Sequence, residues 1–514
     1  MNDNTLSRRT FLGATASAAA AFTVIPNYAM GSVLGHKAPS DKLNVAVIGP
    51  GGRANGMLDS AAAAGENIVA LCNVDWAHAR QKFEQYPNAK RYWDFRKMND
   101  EMTREIDAVV VGTADHTHCI CAAHAMTLGK HVYVEKPLTH SVYESRLLTK
   151  LAAQYKVATQ MGNQGASNAG VRQICDWVFD GQIGEVTKVE CATNRPIWPQ
   201  GLDIPKEVMP VPETLNWDLF VGPARLIPYN SVYHPWGWRG WWEFGTGALG
   251  DMACHIMHPV FKALKLGYPT KVQASSTALK VACAPVAQRV KMTFPARPQH
   301  NTAKLQFPEV EVHWTDGGIL PLYPDNWPTE IIPSNNPRRP AGPRRWEDDG
   351  AVIFHGTKDS LICGCYGANP WLLSGRTPES PKTQREVPRG PQGVRAEIHT
   401  LDWLRACKES PANRVETTSA FDEAGPFNEM VVMGVLAVRL QTLGKVLHWD
   451  GPNMQFTNIG ENEQVMSIVE DSFSVIDGHP EINPRTENVN ARAFAQELVK
   501  HTYRQGWTLP NMPA

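Results

Sequence analysis

The chain has 514 residues, with 50 basic and 51 acidic side chains, a net charge of −1 and 43% hydrophobic residues. That length exceeds what one hydrophobic core usually organises, so two or more domains are expected. Near-equal charge without a long run of one sign gives nucleic-acid binding no electrostatic support, and the composition is that of a globular chain.

The N-terminus reads Ser7-Arg8-Arg9-Thr10-Phe11-Leu12 and continues as an Ala-rich apolar run to Ile25. A charged start followed by about 15 apolar residues has the dimensions of a signal peptide and is short for a membrane span. Paired arginines before Phe-Leu resemble the twin-arginine signal, which passes folded proteins to a dedicated export machinery. Residues 1–40 are therefore read as a signal and linker. The expected location is periplasmic or exported, or membrane-anchored if the signal stays uncleaved.

The ten cysteines are irregularly spaced, several in apolar runs, and are read as small buried hydrophobes. Cys119-x-Cys121 and Cys363-x-Cys365 lack a matching second pair, so no structural metal is expected.

From residue 41 the pattern alternates strand and helix. Leu43–Ile48 reads as a strand, a glycine turn follows, and a helix runs to Ala64. Asn67–Val74 is a strand, Trp76–Gln85 a helix, Ala108–Gly112 a strand, His118–Gly129 a helix and Val132–Val134 a strand. Alternating β and α with short connections predicts a doubly wound parallel sheet, placed at 41–162.

From 163 to 455 the texture predicts a second, α+β domain with a large, mainly antiparallel open sheet, through which the chain would form a homo-oligomer. Its strands are read at Val186–Thr193, Lys271–Ser275, Val290–Phe294, Val310–Thr315, Ala351–His355 and Ser360–Cys365. Its helices are read at Asp251–Leu266, His399–Lys408 and Phe421–Leu443. Residues 321–343, rich in Pro, Asn and Arg, are read as a loop insertion. Residues 456–514 form a C-terminal extension, irregular until a helix near Ala491–Arg504.

Gly49-x-Gly51-x-x-Ala54, after a strand and opening a helix, is the dinucleotide fingerprint with Ala in the third glycine's place. Gly49, Gly51, Gly52, Arg53 and Ala54 are expected to cradle a pyrophosphate at the helix N-terminus. The second strand ends Cys72-Asn73-Val74-Asp75. Asn73 is expected at the ribose hydroxyls, with Asp75 either serving there instead or capping the next helix. NAD is the expected cofactor, with NADP left open by the asparagine. Thr113, Asp115, His116 and His118 follow the third strand read, at the edge where such sheets bind ligands. Glu135, Lys136 and Asn163 complete the cofactor set. His131-Val132-Tyr133-Val134-Glu135-Lys136-Pro137 puts Lys136 at a strand end, where cofactor and substrate would meet.

With the GxGxxA turn, Thr113-x-Asp115-His116-x-His118 and Glu135-Lys136-Pro137 in that order, the chain from about 41 to 450 resembles the Gfo/Idh/MocA family. That resemblance implies an oxidoreductase with a Rossmann domain and a C-terminal α/β domain. It also implies that Lys136 works beside an aspartate and a histidine spaced Asp-x-x-x-His on a helix, here Asp251 and His255. A four-residue separation puts both on one helix face. The chemistry needed is loss of a proton and a hydride from a secondary alcohol of a sugar, glycoside or polyol. His255 is the expected base, Asp251 would orient it, and Lys136 would hydrogen-bond the reacting oxygen.

Six of the 16 tryptophans fall between 198 and 242. Aromatic faces suit carbohydrate C–H surfaces, so Arg195, Trp198, Tyr233, His234, Trp238 and Arg239 are the expected substrate contacts, with His258 a further one. Because an exported enzyme meets no free NAD pool, a tightly held cofactor is expected. One alternative is an NAD-dependent glycoside hydrolase working by transient oxidation and elimination, but such relatives carry Tyr-x-x-His where this chain has Asp-x-x-x-His. A non-catalytic sugar-binding relative is the other alternative.

Overall fold

The computed structural model describes residues 41–513 except 337–338, 348 and 388–394, so the expected export signal lies outside the described residues. From Leu43 onward the chain packs as one unit.

Its first sheet is built from β1 (Asn44–Ile48), β2 (Asn67–Cys72), β3 (Lys90–Tyr92), β4 (Ala108–Val111), β5 (His131–Val134) and β6 (Thr159–Met161), in the order β3-β2-β1-β4-β5-β6. Every neighbouring pair is parallel. The central strands carry short β-branched runs such as Val109-Val110-Val111, fully buried because helices cover both faces. Helices α1 (Ala54–Ala63), α2 (Trp76–Gln85), α3 (Phe95–Glu101), α4 (Asp115–Thr127) and α5 (Val142–Tyr155) are the crossovers. A capping box starts α5: Ser141 Oγ accepts from Glu144 N–H at 3.3 Å, and Glu144 Oε2 accepts from Ser141 N–H at 3.1 Å. The sequence reading passed over β3, α3, α5 and β6.

After α6 (Ala169–Phe179) comes β7 (Val186–Ala192), then the short α7 (Trp217–Val221). Helices α8 (Gly247–Ile256) and α9 (His258–Ala263) stand where one helix, Asp251–Leu266, was expected; the break falls at Met257, just before His258-Pro259, and proline favours a helix start. Strands β8 (Lys271–Ser276), β9 (Gln288–Phe294) and β10 (Val310–Thr315) follow. Residues expected as loop then form a hairpin of β11 (Ile331–Asn336) and β12 (Arg339–Pro343). Strands β13 (Ala351–Gly356), β14 (Ser360–Gly364), β15 (Trp371–Leu372), β16 (Leu447–Asp450) and β17 (Gln455–Phe456) complete a nine-stranded sheet ordered β15-β14-β13-β7-β10-β9-β8-β16-β17. Only β7 and β10 pair parallel, so the sheet is mainly antiparallel.

Two late helices tie the sheets together. Helix α10 (Ile398–Cys407) lays Trp403 and Leu404 against Met57, Leu58 and Tyr133, closing one face of the first sheet. Helix α11 (Phe421–Arg439) is buried along most of its length between α5 and the second sheet, in a core that also takes in Leu148, Leu249 and Met292. The extension is more ordered than expected. Strands β18 (Gln464–Glu470) and β21 (Arg485–Asn490) pair, as do β19 (Phe473–Ile476) and β20 (His479–Ile482), before α12 (Ala491–Val499). All ten cysteines are buried and unpaired. No described helix is long and apolar enough to cross a membrane.

Candidate active site

A cavity of about 640 Å³ opens where the carboxyl ends of the first sheet's strands meet α8. Gly49 and Gly51 turn the chain there with φ of +86° and +128°; a Cβ at Gly49 would lie 2.6 Å from Gly112 O, so only glycine lets β1 and β4 meet at this point. Helix α1 has no side-chain N-cap and no acidic residue in its first turn, leaving its amide end for an anion such as a pyrophosphate. Gly49, Gly51, Gly52 and Arg53 line the cavity; Ala54 lies buried just behind them. These features fit a bound dinucleotide.

Arg53 pairs with Glu397 at 2.8 Å and approaches Glu135 at 3.8 Å. Burial pushes the Glu135 carboxyl up to about 7 against the opposing pull of Arg53 and Lys136. Gln164 Nε2 donates to it at 3.2 Å. A Cβ at Gly162 would strike the same carboxylate at 2.6 Å, so the glycine makes its room.

The other expected cofactor residues divide. Asn73 lines the cavity, yet its amide donates to Pro50 O and its Oδ1 accepts from Asp75 N–H at 2.8 Å, so it braces the glycine turn. Asp75 caps α2, accepting from Ala77 and His78 N–H, and holds His234 Nε2 at 2.8 Å. Of the two roles left open for Asp75, the cap is the one seen. Thr113 and His116 line the cavity, with the His116 ring nitrogens against Phe220 O and Phe244 O at 2.9 and 3.3 Å. His118 lies behind the wall, between Pro137 O at 2.7 Å and Thr113 O at 3.1 Å. Asp115 is likewise internal: it accepts from Thr246 Oγ1 at 2.7 Å and so links the start of α4 to the turn before α8. Asn163 is buried with neither amide atom paired among the described residues and does not reach the cavity wall.

Lys136, Asp251 and His255 all face the cavity. Lys136 Nζ donates to Asp251 Oδ1 at 2.7 Å and to Asp251 O at 3.0 Å. Asp251 keeps Lys136 charged in spite of burial, and Lys136 with Arg239 holds the Asp251 carboxyl low. The expected orientation of His255 by Asp251 is not what is found: the Oδ1 atom is taken by Lys136 and by Arg239 Nε at 3.4 Å. Burial, then Lys136, drives the His255 imidazole well below the ordinary histidine value, so it is neutral, and its Nδ1 has no partner among the described residues. A ring not anticipated from sequence lies against it instead: Tyr366, centroid to centroid 4.6 Å.

Of the expected substrate contacts, Arg195, Trp198, His234, Trp238 and Arg239 line the cavity. Arg239 lies over the rings of Trp236 and Trp238 at 4.0 and 4.3 Å. Tyr233 is instead core: its ring packs on Trp217, Trp241 and Phe244, where an apolar face is better buried than turned to a ligand. His258 is also internal, one turn past His255 and bonded to Glu423 at 2.9 Å beside Lys262. Wall residues missed from sequence include Trp93, Phe95, Gln164, Met252, Asp349, Tyr366 and Trp507. Trp507 arrives from the far C-terminus, under Arg96 at 4.2 Å. Gln164, next to Asn163, and Met252, next to Asp251, lay beside residues the sequence singled out.

A Rossmann sheet whose glycine turn opens on a cavity shared with a second α/β sheet defines an NAD-binding oxidoreductase fold. The chain belongs to the Gfo/Idh/MocA family. That family's NAD-binding Rossmann domain matches residues 43–163, and its C-terminal alpha/beta domain matches residues 171–329, together more than half of the chain. A "Glycosyl hydrolase family 109 protein 2" of Shewanella sp. (strain ANA-3) is 27% identical over 305 residues, 57% of this chain and 60% of the relative. The family 109 protein 1 of Akkermansia muciniphila is 32% identical over 119 residues, 21% of this chain and 25% of the relative. The chain thus spans 60% or less of the length of these curated relatives. The solved NAD binding oxidoreductase from Klebsiella pneumoniae shares the fold at a TM-score of 0.50 and 16% identity, covering 79% of this chain and 99% of its own.

Proposed function

We propose that this protein oxidises or reduces a secondary hydroxyl of a sugar, glycoside or polyol, with Lys136, Asp251 and His255 at the reacting carbon. One observation carries the reading. A charged lysine paired at 2.7 Å with a carboxylate stands beside a neutral imidazole, in the cavity that the dinucleotide turn opens into. Bound NAD supplies the hydride acceptor or donor. The protein's own groups handle the oxygen: Lys136 donates a hydrogen bond to it and stabilises negative charge developing there. His255, neutral because it is buried, accepts the hydroxyl proton. Asp251 fixes the lysine and keeps it protonated, while Arg239 braces Asp251 from the tryptophan side. Trp198, Trp236 and Trp238 offer flat faces to a sugar ring. Export through residues 1–40 goes with a cofactor loaded in the cytoplasm and tightly held.

The test is to measure the nicotinamide content of purified protein, then the absorbance of the bound cofactor while free hexoses, N-acetylhexosamines and methyl glycosides are added. A change with at least one sugar is expected; folded protein without nicotinamide, or with cofactor inert to every sugar and polyol, contradicts the reading.

The family 109 relatives favour a second reading, glycoside cleavage by transient oxidation and elimination. It predicts aglycone release without net cofactor reduction. The Tyr-x-x-His arrangement of such enzymes needs a tyrosine three residues before the histidine, where this chain has Met252, so alcohol oxidation is preferred.

A further inference from the structure

The loop after β14 is forced against the catalytic helix by a set of close approaches. Tyr366, not a glycine, is held at φ +64°, a conformation that a side chain adopts only when its surroundings fix it. A Cβ on Gly165 would lie 2.8 Å from Tyr366 Cα, and one on Gly367 would lie 2.6 Å from Val171. Asn168 Nδ2 reaches Tyr366 O at 3.4 Å. Two segments distant in sequence, 165–171 and 366–367, thus leave out or aim atoms so that one aromatic ring rests on His255, at 4.6 Å and a tilt of 51°. Tyr366 also lines the cavity, and among the described residues its hydroxyl has no hydrogen-bond partner.

Resting on the reading of His255 as base, we infer that Tyr366 is a positioning and substrate-contacting residue. Its ring holds the His255 imidazole in place and shuts water from it. Its hydroxyl keeps its own proton and donates to a sugar oxygen next to the one that gives its proton to His255. The imidazole has no carboxylate holding it, since Asp251 is occupied by Lys136 and Arg239. The charged and titratable groups around it are Lys136 from the end of β5, Asp251 on its own helix, Arg53 from the glycine turn and His258 from α9.

The experiment compares wild type, Tyr366→Phe and Tyr366→Ala as full-length protein carrying its cofactor. The imidazole titration of His255 is followed by NMR, its signal assigned by its loss in His255→Asn. Tyr366→Ala is expected to raise the His255 pKa by about one unit as water enters, and Tyr366→Phe, which keeps the ring, to leave it in place. With the sugar that changes the bound cofactor, Tyr366→Phe raises KM about tenfold at near-constant kcat, and Tyr366→Ala also lowers kcat. An unshifted His255 in Tyr366→Ala, or wild-type KM in Tyr366→Phe, overturns the assignment. The titration needs no sugar, so a wild type that oxidises none sinks the oxidoreductase reading and still leaves Tyr366 testable.

Discussion

At the scale of single residues, opposing pulls on charge define the site. Lys136 and Asp251 are each desolvated, and each keeps its charge through the other. His255 has no such partner and is left neutral. A base must be unprotonated to act, so activity is lost only as pH falls through the His255 value, which lies below the ordinary 6.5. The kcat/KM profile is therefore expected to stay flat from mildly alkaline pH down past 6.5. A falling limb centred at or above that value would contradict His255 as the base. Lys136, Asp251 and His255 were legible in sequence because each sits in a short motif: a strand ending on Glu-Lys-Pro, and two residues four apart on a helix. Tyr366 was not, because nothing local marks it; its position depends on Gly165 and Gly367 making room across the fold.

At the scale of elements, helix α8, which carries Asp251 and His255, is set by its N-terminal turn. Thr246 Oγ1 donates to buried Asp115 at 2.7 Å, and a Cβ on Gly250 would overlap Thr246 Oγ1. Gly250→Ala should displace Thr246, strand a buried carboxyl and destabilise the protein by about 1–3 kcal/mol. Thermal melting checks this, and an unchanged Tm would show that the Thr246–Asp115 link does not set the helix start. Strands with β-branched runs, such as Val109-Val110-Val111, and the evenly alternating Val310–Thr315 were readable. Lys90-Arg91-Tyr92 was not: two of its three residues are exposed at the sheet edge, so no apolar run marks it. The strands of the β11–β12 hairpin contain three prolines in a Pro- and Arg-rich stretch that reads as loop by composition. The capping box at Ser141 and Glu144 is the local sequence mark of the start of α5.

At the scale of the whole molecule, the chain returns twice to its first sheet. Helix α10 supplies Trp403 to one face, and the C-terminal tail supplies Trp507 to the cavity wall. Such long returns leave no periodic trace: α10 was readable as a helix over His399–Lys408, but its docking on the first sheet and the arrival of Trp507 were not. The interior also holds many neutral imidazoles: burial lowers His116, His118, His131 and His399 to about 4 and His501 to about 3. A histidine whose folded value is depressed takes up a proton more readily when unfolded. Its contribution to stability is full above about 6.5 and is lost as pH falls toward 4. Asp115, Glu135, Glu144 and Asp316, each raised to about 7 by burial, act in the opposite sense and are fewer. Tm is therefore expected to fall as pH drops from 6.5 to 4.5, and a Tm that rises over that interval would contradict this balance.

The central claim concerns Lys136, and the rate at which bound nicotinamide is reduced by a reactive sugar tests it most directly. Lys136→Ala should retain its cofactor and reduce it at least about a hundredfold more slowly than wild type, the scale expected when a group stabilising charge on the reacting oxygen is removed. A variant that holds its cofactor and is reduced at the wild-type rate would contradict the account.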